Sequence, residues 1–190
     1  MHITEVLLLV VKNNDEGKLR GRTLFQKKVY FLSVLMNVDL GFSPYYYGPY
    51  SSYVASQLDS LVNCGLLEEV TESFSNEENI FGEIRRHTYF IPDNFESAWQ
   101  DIQKRPRFSE WQDALSRINN QKISEDFNKL SIAAKVHYIV DWKKEGTIEE
   151  IKQIAKEYRW KVNDEDIESV LFFLEELGLI TTDESDDIPF

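Results

Sequence analysis

The sequence predicts a mainly α-helical protein with one small antiparallel β-hairpin, and three observations carry that prediction. Apolar residues recur at helical spacing through most of the 190 residues. Only residues 66–71 (LLEEVT) and 83–91 (EIRRHTYFI) read as strands, and the intervening ESFSNEENIFG has the Ser, Asn and Gly of a loop between antiparallel neighbours. Both strands follow three helix-like runs, and three helices then a hairpin is the order of a winged helix-turn-helix.

Residues 4–12 make a short apolar helix. In residues 23–36, Leu24, Phe31, Leu32, Leu35 and Met36 fall at helical spacing, and Thr23 with Gln26 three positions on reads as a capping box. SPYYY, residues 43–47, is expected as an extra strand pairing at the root of the hairpin. Residues 51–64 place Val54, Leu58, Leu61 and Val62 on one face, closed by Gly65. Residues 1–92 thus form the winged-helix domain.

Residues 93–122 read as a helical connector. Phe95, Trp99 and Ile102 share one face, KRPR interrupts, and Phe108, Trp111, Leu115 and Ile118 share the next, opened by a Ser109/Gln112 capping box. Trp99 and Trp111 are expected to pack the two halves together. Residues 123–190 form a C-terminal unit with helices over 131–144, 147–158 (capping box Thr147/Glu150) and 164–177, ended by Gly178, and then an acidic tail. Laying Leu58 on Leu171, Leu61 on Leu174, Gly65 on Gly178 and Leu66 on Leu179 gives a weak internal repeat. It reads either as a second winged-helix-like unit or as the spacing of any helix that ends in Gly before a strand.

Composition narrows the function. The chain has 21 basic and 33 acidic residues, a net charge of -12, which opposes phosphate backbones and anionic membranes unless the basic residues gather on one face. The opening MHITEVLLLVVKNN holds an apolar run too short to cross a bilayer and lacks a secretory leader, so a cytoplasmic protein without a membrane partner is expected. Cys64 is the lone cysteine and is expected as a small core residue. His2, His87 and His137 are scattered, and no Gly-rich phosphate loop, nucleophile motif or acid-base pair is present. A non-enzyme without cofactor or metal follows.

LFQKKVYFL (residues 24–32), YYYGPYS (45–51) and the later GLLEE resemble the YwgA-like winged-helix proteins and, more distantly, the Panacea domain of antitoxins. The resemblance covers about the first half of the chain and rests on Leu24, Gln26, Lys27, Tyr30, Tyr47, Gly48 and Pro49. It implies a helix-turn-helix-type scaffold with a regulatory or antitoxin-like role. The chain departs from the Panacea pattern in Phe25, which stands between Leu24 and Gln26, and in its long acidic C-terminal half. Residue chemistry offers a structural reason for the same motif. Gln26 would close the capping box, Pro49 would hold Gly48 extended and start the third helix, and Gly48 would let the turn approach the preceding helix.

Two surfaces stand out for binding. Tyr45 and Tyr47 alternate with Tyr46 along the expected strand, and Tyr50 and Tyr53 head the next helix. These tyrosines serve either core and hairpin packing or a partner surface. Lys18, Arg20, Arg22, Lys27 and Lys28 form the one basic stretch, either ordinary solvated surface or a contact for phosphate or an acidic partner. The third helix, SSYVASQLDSLVNC, has no Lys or Arg; only Gln57 and Asn63 could reach bases, and the wing carries Glu72, Glu77 and Glu78. The acidic helix 164–176 and tail 183–190 are a solvated face or a dock for a basic partner. The sequence therefore points to a non-enzymatic interaction or regulatory module, antitoxin-like or an accessory subunit, holding a basic or amphipathic protein through Tyr45, Tyr46, Tyr50 and Tyr53. The alternative is a DNA-binding regulator using the five basic residues; self-association fits either reading.

Overall fold

The computed structural model describes residues 1–74, 84–143, 146–181 and 187–188. The order is α1 (Ile3–Lys12), β1 (Lys18–Arg20), α2 (Arg22–Leu35), α3 (Ser52–Asn63), β2 (Glu68–Phe74), β3 (Ile84–Phe90), α4 (Glu96–Gln103), α5 (Phe108–Asn119), α6 (Phe127–Lys143), β4 (Gly146–Thr147), α7 (Ile148–Glu157), α8 (Asp164–Glu176) and β5 (Asp187–Ile188). The tip of the hairpin, with Glu77 and Glu78, lies outside the described residues, as do residues 182–186 and 189–190 of the acidic tail.

Local chemistry explains most helix starts. The His2 ring accepts from the Thr4 amide while Glu5 caps back, a capping box in which histidine replaces the usual Ser or Thr. Thr147/Glu150 forms as expected, and Asn163/Asp166 makes a further box at the head of α8. Two expected boxes are absent. α2 begins at Arg22 behind Gly21 (φ 95°) with no side-chain cap, which puts Gln26 a turn inside the helix. α5 begins at Phe108 behind the left-handed Arg107, ahead of the Ser109/Gln112 pair.

Three antiparallel strands form the main sheet in the order β1-β3-β2, with Lys18 opposite Phe90, Arg20 opposite Thr88, and the hairpin running from Glu68/Phe90 to Phe74/Ile84. The extra strand comes from residues 18–20, not from SPYYY. SPYYY supplies a single bridge, Ser43 to Tyr50, because Pro44 has no N–H to donate and the chain turns at Tyr46–Tyr47. Leu19 and Tyr89, opposite each other across β1 and β3, are both fully buried.

α2 is the centre of the molecule. It buries every residue from Leu24 to Ser33 and packs on α1, α5 and α6 and on the sheet. A helix buried all round is normally apolar all round. Here three consecutive polar residues, Gln26, Lys27 and Lys28, are enclosed with the rest. Apolar residues of both halves join one core: Phe31 meets Phe173 edge-on at 5.1 Å, and Tyr30 Oη lies 2.7 Å from His137 Nδ1. Trp99 and Trp111 are buried in that core, Trp99 against Phe108 at 5.7 Å. Each such large side chain contributes about 1.5–3 kcal/mol through burial.

The paired ends of α3 and α8 share a backbone motif. Gly65 (φ 73°) and Gly178 (φ 69°) turn left-handed, and Leu66 N–H donates to Leu61 while Leu179 N–H donates to Leu174, both at 2.9 Å. The C-terminal order is helix, short strand, helix, helix, short strand, with β4 and β5 antiparallel. Cys64 is exposed at the end of α3, contrary to the expected core position, because its side chain falls off the Val54/Leu58/Leu61 face.

Candidate functional site: an aromatic turn over an apolar cavity

The chain between α2 and α3 is pinned to buried polar groups of α2. The Gln26 amide donates to the Ser51 carbonyl and accepts from the Ser51 N–H, both at 3.1 Å, in a closed two-bond pair. Ser51 then caps α3 at Val54 N–H, and its hydroxyl donates to the Leu40 carbonyl. Lys27 Nζ donates to the Pro49 carbonyl at 2.6 Å. From the other half, Trp160 Nε1 donates to the Tyr45 carbonyl at 2.5 Å. Gln26 and Lys27 thus hold the turn by its backbone, a role that their places in the motif leave unread.

Gly48 and Pro49 also act differently from expectation. Gly48 has φ 95°, the left-handed region, so it is not extended, and Pro49 precedes the first residue of α3 by three positions. Gly48 does approach a helix closely, but that helix is α6 and not the preceding one: a Cβ on Gly48 would stand 3.0 Å from Lys135 Cγ and 3.4 Å from the Ser131 carbonyl, with Lys27 Cε of α2 at an ordinary 3.5 Å.

So held, the turn presents its rings outward. Tyr46 is 75% exposed, Tyr47 63%, Tyr45 54% and Tyr53 46%, while Tyr50 is half-buried under Tyr45 at 5.1 Å. The turn places Tyr45, Tyr46 and Tyr47 all in solvent, where a strand would have alternated them. Beneath them lies a largely apolar cavity of about 150 Å³ between Tyr45, Tyr47 and Tyr50 on the turn, Ala55 and Leu58 on α3, and Arg22, Thr23, Gln26 and Lys27 on α2. Lys27 is 2% exposed, and burial, then the neighbouring Lys135 charge, pulls its amine down to about 7.

The basic stretch does not form one surface. Lys28 is fully buried and donates to Asn14 at 2.6 Å, to Asn119 at 3.0 Å and to the Glu125 carboxylate. Burial lowers its amine, and Glu125 opposes the shift. Lys18 pairs with Glu16, and Arg22 bonds Asp59 at 3.0 Å and Glu69 at 3.1 Å. Lys18 and Arg20 do share one open concavity, but Asp15 and Glu125 line it too.

On α3 the base-reaching candidates are split, Gln57 half-buried and Asn63 exposed, and Glu72 on β2 is exposed. Sequence reading missed the polar chain at the hairpin root, where Glu69 takes Arg22 and lies 2.8 Å from His87 Nδ1, itself 3.2 Å from Thr71 Oγ1. The period-two placement of Glu69, Thr71 and His87 on paired strands was the available signal.

α8 carries Asp164, Glu165 and Asp166 in its first turn, where Asp164 pairs with Lys152 at 2.7 Å, and it exposes Phe172. Among the described residues no group of three His, Cys, Asp or Glu is placed to hold a metal, and no helix is long and apolar enough to cross a membrane. No family model and no curated protein sequence matches the chain. What fold and site define is a mainly helical protein with a small antiparallel sheet and an aromatic turn, backbone-locked, over an apolar cavity.

Proposed function

We propose that the protein is a non-enzymatic, cytoplasmic interaction module on a winged-helix scaffold, an accessory subunit or antitoxin-like regulator that holds a basic or amphipathic protein through its tyrosine turn. The observation that carries the reading is the exposure of Tyr45, Tyr46 and Tyr53 on a backbone already fixed by Gln26, Lys27 and Trp160. Rigid aromatic rings lose little conformational entropy on binding, which is why tyrosine anchors interfaces. The element order with sheet order β1-β3-β2 supports the scaffold reading, and the net charge of -12 supports a basic partner. The resemblance to YwgA-like and Panacea proteins supports a regulatory role.

The rival reading, a DNA-binding regulator, asks for phosphate contacts from Lys18, Arg20, Arg22, Lys27 and Lys28. Two of those amines are enclosed and two other groups are spent on carboxylates. One set of samples separates the readings. The immobilised chain is expected to retain a discrete protein partner, and Tyr46→Ala or Tyr53→Ala to weaken that capture by about 2 kcal/mol with unfolding unchanged. Random duplex DNA is expected to give no anisotropy change at physiological salt. Full capture by the doubly substituted protein removes the turn as the anchor, and tight, salt-sensitive DNA binding replaces the reading.

A further inference from the structure

We propose that the cavity beneath the tyrosine turn binds a carboxylate carried on a single apolar ring or branched group, with the carboxylate meeting the Lys27 amine. Size sets the apolar part. About 150 Å³ is the volume of engineered protein cavities that admit one benzene-sized molecule, and it is below the 300–1,000 Å³ of pockets for drug-sized ligands and cofactors. The apolar wall is Ala55, Leu58 and the tyrosine rings.

Charge sets the polar part. Lys27 lines the cavity, is almost wholly buried, and among the described residues bonds only a neutral carbonyl, that of Pro49. A buried cation without a counter-charge is costly, and an entering carboxylate supplies one. The first turn of α2, which also lines the cavity through Arg22 and Thr23, lacks a side-chain cap, and its positive dipole end favours an anion nearby. Arg22 itself is neutralised by Asp59 and Glu69, so it guards the rim and leaves Lys27 as the receiving charge.

The cavity shares Tyr45 with the protein-partner reading, but Tyr46 and Tyr53, the residues substituted to test that reading, are no part of its wall, so the two fail separately. It also fixes a sign. The charged neighbour of the Lys27 amine is Lys135 from α6, itself near Asp166 of α8, and the other titratable groups on the cavity wall are Arg22, with its two carboxylates, and the phenols of Tyr45, Tyr47 and Tyr50. A bound carboxylate favours the charged amine, so binding near neutral pH takes up protons and affinity falls as pH rises.

Calorimetry with phenylacetate, phenylacetamide, and the peptide Gly-Gly-Phe with free or amidated C-terminus tests this, run in two buffers of different ionisation enthalpy. Phenylacetate or the free-acid peptide is expected to bind with a Kd of about 1 mM or tighter, with proton uptake, and each amide about tenfold weaker or not at all. Which acid binds distinguishes a free small acid from the terminal residue of a polypeptide. Lys27→Met is expected to abolish the proton uptake and lower acid affinity about tenfold, and Ala55→Leu, which fills the cavity and keeps the amine, to block both acids. Silence from every probe, equal binding of acid and amide, or undiminished acid binding by Lys27→Met overturns the proposal. The acid-against-amide comparison decides it even if a variant fails to fold.

Discussion

Lys27 and Lys28 are adjacent on one helix, equally buried, and held in opposite ways. Lys28 faces the seam where α5 and the chain after it close on α2, and it receives two amide oxygens and a carboxylate, the complete set for an ammonium. Lys27 faces the tyrosine turn and receives one carbonyl, with a second lysine behind it and a cavity beside it. A buried charge with its partners present is a structural joint. One with a partner missing marks a place where the fold has left chemistry open.

Removing the joint should show the largest effect. Lys28→Ala leaves Asn14, Asn119 and Glu125 facing one another without their donor, and we expect a loss of about 3 kcal/mol in urea unfolding, with an unchanged slope. A loss under about 1 kcal/mol would mean that the seam rehydrates and that the two lysines are alike.

The Lys27 side sharpens the contrast through pH. Its amine is lowered in the folded protein from an ordinary 10.5 to about 7, so the unfolded chain holds more protons between those values. Stability therefore rises with pH over that window, and the destabilisation is fully present below it. Wild type should gain roughly 1 kcal/mol per pH unit more than Lys27→Met from about pH 7 to 10. Parallel stability curves for the two proteins would show that Lys27 keeps its ordinary proton affinity.

A smaller effect is expected above Lys27. Gly48→Ala forces an L-residue to φ 95° and sets its Cβ 3.0 Å from Lys135 Cγ, for about 1–2 kcal/mol by thermal unfolding. A neutral outcome would show that the turn relaxes freely and that its backbone is not the fixed platform described.

How much of this was legible follows from which forces are local. Helix periods, the Thr147/Glu150 cap and the left-handed Gly65 and Gly178 depend on neighbours within a few positions, and the two hairpin strands are readable from their residue types and the loop composition between them. The Thr23/Gln26 box failed because Gly21, not Thr23, is the N-cap, so the helix starts two residues earlier, which frees Gln26 for the Ser51 backbone 25 positions away. SPYYY failed as a strand because β1, between α1 and α2, already occupies the free edge of β3. The tyrosine turn was visible as a composition, and the cavity under it was not. Its walls come from three separate segments, and its buried amine looks in sequence like one more member of a basic run.

By itself the sequence determined the count and kind of most elements, because period and capping are short-range geometry. It determined too that the protein is acidic, because net charge is a matter of residue type. Only the tertiary structure decided which of two adjacent lysines has a counter-charge. Neighbours on a helix point about 100° apart, and what each one meets is set by packing partners as far away as Glu125, 97 positions along the chain.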